Sequence, residues 1–112
     1  MIGWTRAIAA IALFAPATAG AHQLNVFASV DCESVTVEAK FSNGKYASEG
    51  EVRVMDANSM LLTTLALEAD GTQQVPLDSV DHSSGLVIEV DVGSHDDYWI
   101  VTPDDIARNC AS

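Results

Sequence analysis

Three histidines, two cysteines and 16 carboxylates are the groups through which this 112-residue chain can do chemistry. His22 is the most informative, because it follows Ala17-Thr18-Ala19-Gly20-Ala21, a run of small residues suited to signal-peptide cleavage. Cutting after Ala21 makes His22 the first residue, and its α-amine and Nδ1 then close a six-membered chelate around one metal ion. Cutting after Ala19 leaves Gly20-Ala21-His22, whose amine, two backbone nitrogens and imidazole form a square-planar set. A cut after Gly20 is a weaker match and leaves Ala21-His22. A free α-amine titrates at about 8 and imidazole is neutral at pH 7, so both donors come at little proton cost. Nitrogen-rich tetragonal sets suit Ni(II) and Cu(II), with Co(II) a weaker competitor. The bland alternative is a histidine that falls beside a cleavage site by accident.

Two more histidines can complete such a site. His95 lies in the expected loop from Gly93 to Asp97, and His82 in the turn Asp81-His82-Ser83-Ser84-Gly85. We take His95 as the second ligand, with His82 and the neighbouring Asp96 as weaker candidates. Solvated loop imidazoles are the ordinary alternative for both histidines. Hydrolytic chemistry is disfavoured on spacing. Ser94, His95 and Asp96 have the residue types of a triad, but neighbours on an extended chain point to opposite faces. No G-x-S-x-G, HExxH, P-loop or EF-hand loop occurs, so no enzyme is expected. The remaining carboxylates read as a solvated face.

The elements that position these groups begin after an export signal. Arg6 supplies a positive start, Ala7 to Ala15 is an uncharged apolar run, and Pro16 and small residues end it. That pattern marks residues 1–21 as a secretory signal peptide and residues 22–112 as one exported domain. The apolar run is too short to span a bilayer, so a periplasmic or secreted protein is expected. Without Arg6, four basic residues face 16 acids, a net charge of −12. Such a surface repels phosphate backbones and anionic membranes, which excludes nucleic-acid binding. In an oxidising compartment Cys32 and Cys110 are expected to pair as a disulfide; no CxxC spacing favours metal or thiol chemistry.

The mature chain has a period of two. Val35, Val37, Ala39 and Phe41 alternate with polar residues, as do Leu86, Ile88, Val90 and Val92. Leu24 to Val30, Glu51 to Met55, Met60 to Leu67, Thr72 to Leu77 and Tyr98 to Val101 give weaker strand signals. Turn residues separate them at Asn43-Gly44, Asp56-Ala57-Asn58-Ser59, Asp70-Gly71 and Ser84-Gly85. About seven short strands predict a single all-β domain, an Ig-like antiparallel β-sandwich. Thr102-Pro103-Asp104-Asp105 predicts a short C-terminal helical turn, with a cap, a proline at the first position and acids behind it.

The opening Ala21-His22-Gln23-Leu24-Asn25-Val26-Phe27-Ala28 resembles the mature start of NikL-type accessory proteins of energy-coupling-factor (ECF) nickel and cobalt transporters. The likeness continues through Val35 to Gly44, Gly50 to Ala57 and Val90 to His95, and so runs over most of residues 21–101. The middle of the chain is also similar to Ig-like sandwiches of the carboxypeptidase-regulatory kind. The resemblance implies an extracytoplasmic domain that helps deliver Ni(II) or Co(II) to the membrane subunits of an uptake transporter. Residue by residue, it implies metal binding at His22 and at His95, the histidine after the penultimate strand. Where the family often has a Gly-His-Arg-like run, this chain has Ser94, His95, Asp96 and Asp97; the added acid can supply an oxygen ligand. A copper carrier or copper-resistance protein, with Cu(II) on the same nitrogens, is the alternative. A structural interaction module without metal is a third reading. Copper oxygenases also use terminal histidines, but they are larger sandwiches with a broad substrate surface.

Overall fold

The computed structural model describes residues 22–110; the expected signal peptide, residues 1–21, lies outside the described residues. Seven strands and one helix follow in order: β1 Leu24–Val30, β2 Ser34–Phe41, β3 Glu51–Met55, β4 Leu61–Ala66, β5 Thr72–Pro76, β6 Leu86–Asp91, β7 Asp96–Val101 and α1 Pro103–Cys110. A three-stranded sheet of order β1-β2-β5 stacks on a four-stranded sheet of order β4-β3-β6-β7. All pairings are antiparallel. The all-β sandwich expected from the sequence is therefore the observed fold.

Alternation explains why these segments stack. Leu24, Val26 and Ala28 of β1, Val35, Val37 and Ala39 of β2, Val52 and Val54 of β3, and Leu86, Ile88 and Val90 of β6 are all buried. Each strand thus turns one apolar row inward and leaves the other row wet. Fully burying a side chain of this size is worth about 1.5–3 kcal/mol. Between them these rows form one continuous core.

Two boundaries differ from the sequence reading. β7 begins at Asp96 rather than Tyr98, because Asp91 and Asp96 already face each other across the β6–β7 hairpin. The expected loop around His95 shrinks to a tight turn at Gly93-Ser94, closed by Val92 N–H donating to the His95 carbonyl at 2.9 Å. Gly93 has φ +96°, the left-handed region that a side chain rarely enters. The C-terminal turn is longer than expected, an eight-residue helix. Thr102 and Asp105 cap it reciprocally: Asp105 N–H donates to Thr102 Oγ1 and Thr102 N–H to Asp105 Oδ2, both at 3.0 Å. Ile106 anchors the helix in the core. Cys110 then reaches back to Cys32 and forms the expected disulfide across 78 positions of sequence. A disulfide of this kind belongs to a non-reducing compartment, and no helix among the described residues is long and apolar enough to cross a membrane.

Candidate functional site

One end of the sandwich gathers the start of β1, the end of β2 and the β6–β7 hairpin. The register fixes this: Leu24 pairs with Phe41, and Asp91 with Asp96. Pairing continues outward past Leu24. Gln23 N–H donates to Ser42 Oγ at 3.1 Å, and Ser42 N–H donates to the Gln23 carbonyl at 2.8 Å. His22 therefore emerges from a tethered strand, and it is exposed. The next turn is held as tightly: Gly44 N–H donates to the Phe41 carbonyl and Lys45 N–H to Asn43 Oδ1.

His95 comes to the same end. Its half-buried ring stands edge-on to Phe41, centroids 6.2 Å apart and planes at 69°. Phe41 is the cross-strand partner of Leu24, two residues after His22, so one aromatic ring links the β1 start to the hairpin imidazole. Ser94 occupies the second turn position, directly before the histidine. Asp91 Oδ1 accepts from Gly93 N–H at 2.7 Å and braces the turn from behind. That bond and the Arg53 guanidinium hold the Asp91 carboxyl below the usual aspartate range.

The other two candidates sit elsewhere. Asp96 shares the outer face of the sheet with exposed Tyr98 and Ile100, across the strand from the row that meets β1. Asp97 belongs to that inner row instead. Its Oδ2 accepts from Val26 N–H at 2.9 Å, and one strand step further Trp99 packs edge-on against Phe27 at 5.0 Å. His82 lies at the opposite end of the sandwich. Its Nδ1 is 2.9 Å from the Leu77 carbonyl and 3.2 Å from that of Val80. Both neighbours are acceptors, so Nδ1 carries the proton. The ring lines an open cleft with Leu77, Ile106 and the Cys32–Cys110 bridge. The structure brings His22 and His95 to one end and leaves His82 at the other.

Among the described residues, no three His, Cys, Asp or Glu side chains gather into a ready-made cage for a metal ion. Two contributors act here otherwise than as the expected ligands. Phe41 was read only as part of an apolar row. Asp97 carried one signal, an acid at the parity of His95, Trp99 and buried Val101, where an apolar residue is the rule.

Comparison of the chain with protein-family models, curated proteins and solved structures found no match.

Proposed function

We propose that this chain is an extracytoplasmic, non-enzymatic carrier domain that captures Ni(II) or Co(II) and presents it to the membrane subunits of an uptake transporter. In this reading residues 1–21 direct export and are removed, and His22 becomes the first residue. The observation that supports it is the placement of His95 against Phe41, at the end of the sandwich from which His22 emerges. The α-amine and Nδ1 of His22 form the primary chelate, and the His95 imidazole closes the shell from the hairpin. Gly93, Asp91 and Phe41 act as positioning groups: they fix the turn and the ring so that little side-chain entropy is lost on binding. Asp97 holds β1 against β7 at Val26 and keeps the terminus beside the hairpin. The acidic surface concentrates cations at low salt. Asp96, on the outer face, is no part of the shell.

The same two imidazoles at one end of the sandwich also serve a second reading, a copper carrier. Main-chain and imidazole nitrogens bind Cu(II) more tightly than Ni(II) or Co(II). Calorimetric titration of residues 22–112 with each ion, alone and in competition, separates the two. For the nickel or cobalt reading, His22→Ala is expected to weaken Ni(II) binding about a hundredfold and His95→Ala about tenfold, the latter about 1.4 kcal/mol. Retention of Cu(II) alone supports the copper carrier. Titrations unchanged in both variants remove the site and leave a metal-independent interaction module.

A further inference from the structure

The outer face of the four-stranded sheet is divided into an apolar half and an acidic half, and the register shows where the line falls. One cross-strand row runs Leu61, Met55, Val87, Ile100, one residue from each of β4, β3, β6 and β7. All four turn away from the core. Leu61 and Ile100 are each 54% exposed, and Tyr98 beside them is 58% exposed. Leu61 reaches this row because the β3–β4 register shifts between Val54 and Met55. The shift lets Leu61 stand opposite Met55 while Leu62 packs against the core. The next rows toward the His95 end hold Arg53 and Glu89, then Glu51, Asp91 and Asp96. Arg53 pairs with Glu51, Glu89 and Asp91 at once, which leaves this half with four carboxylates to one guanidinium.

The outer face of the other sheet shows no such division. Its rows read Asn25 with Lys40, Phe27 with Glu38 and Thr72, and Ser29 with Thr36 and Gln74. An apolar row across a whole sheet, left in water on an otherwise acidic domain, is the mark of an interface.

We propose that the outer face of the four-stranded sheet docks a cationic amphipathic protein segment, whose apolar side covers Leu61, Met55, Val87 and Ile100 and whose basic flank meets Glu51, Glu89, Asp91 and Asp96. Charge selects this occupant. A second copy brings the same excess of acid, 16 Asp and Glu against five Lys and Arg in the full sequence, and an anionic bilayer is repelled on the same grounds. A basic flank satisfies carboxylates that Arg53 alone leaves in excess, and it sets the direction in which the segment lies. The inference holds whether or not His22 binds a metal.

The test uses residues 22–112 and a synthetic amphipathic helix of about five turns, with leucines on one side and lysines along one flank. Amide resonances of Met55, Val87, Glu89, Tyr98 and Ile100 are expected to shift on titration. Leu61→Ser with Ile100→Ser is expected to weaken binding at least about tenfold, with an unchanged amide spectrum in the free protein. Asp96→Asn is expected to weaken it a few-fold and to flatten its salt dependence. Shifts confined to the Asn25–Lys40 face overturn the proposal, as does equal binding of a helix with glutamates in place of the lysines. A dimer that forms without peptide and dissociates in Ile100→Ser overturns it in favour of a second copy.

Discussion

At one end of the sandwich a disulfide joins the β1–β2 turn to the last residue of a capped helix, and His82 is bonded to two carbonyls beside it. At the other end His22 leaves an edge strand, and His95 rests on Phe41 with no bond from its ring nitrogens to another described residue. The same side chain is thus tied to the main chain at one end and held only by a ring contact at the other. The covalent link and the helix cap stabilise the end opposite the proposed chelate. That division lets a domain of this size, whose core alone is marginal, leave two imidazoles uncommitted.

The largest effect expected from breaking this contrast is at the disulfide. Replacing both Cys32 and Cys110 with serine is expected to lower unfolding free energy by about 4 kcal/mol on the chain-entropy argument. Denaturant titration measures that loss, and Ni(II) affinity is expected to stay within about twofold. A parallel collapse of affinity would mean that the two ends are coupled.

Asp97→Ala comes next, because it removes the acceptor for Val26 N–H between the two sheet edges. A loss of about 1–2 kcal/mol is expected, with a few-fold weaker Ni(II) binding as β1 loosens. Asp97→Asn, which keeps an acceptor oxygen, is expected to recover most of both.

Acid is expected to separate metal release from unfolding. Nitrogen donors must be deprotonated to bind, so the ion leaves first as pH falls. The fold answers later. Backbone and hydroxyl donors at Ser34, Ser83 and Thr102 hold Asp31, Asp81 and Asp105 below the ordinary aspartate value, and the Thr72 hydroxyl and amide do the same for Asp70. A carboxyl with a lower pKa folded than unfolded stabilises the fold above its unfolded value of 3.8 and loses that contribution as pH falls through the folded value. Circular dichroism against pH should therefore stay flat down to about pH 4 and fall below it. The smallest effect is reserved for His82→Ala. It is expected to cost about 0.5–1.5 kcal/mol through the lost carbonyl bonds and to leave metal binding unchanged.

Much of the architecture was legible in period-two alternation. Val35, Val37 and Ala39, and Leu86, Ile88 and Val90, are buried as that pattern requires. The helix start was legible in Thr102 and Pro103. Its length was not, because Ile106 and the disulfide stabilise it through tertiary packing rather than propensity. β7 was read two residues short, since Asp96 and Asp97 carry low strand propensity and the hairpin pairing overrides it. The same override conceals the bridging role of Asp97, whose partner is a backbone group 71 positions away. The positions of His82 and His95 at opposite ends follow from strand direction, which composition does not encode.

The most direct test of the two-ended design is an amide and side-chain NMR titration of residues 22–112 with Ni(II), run as a complete chain beginning at His22. Expected is paramagnetic broadening centred on His22, Gln23, Phe41 and His95, with the Leu77–His82 segment and the Cys110 amide left sharp. Broadening centred on His82, or spread evenly over the acidic surface, would contradict it.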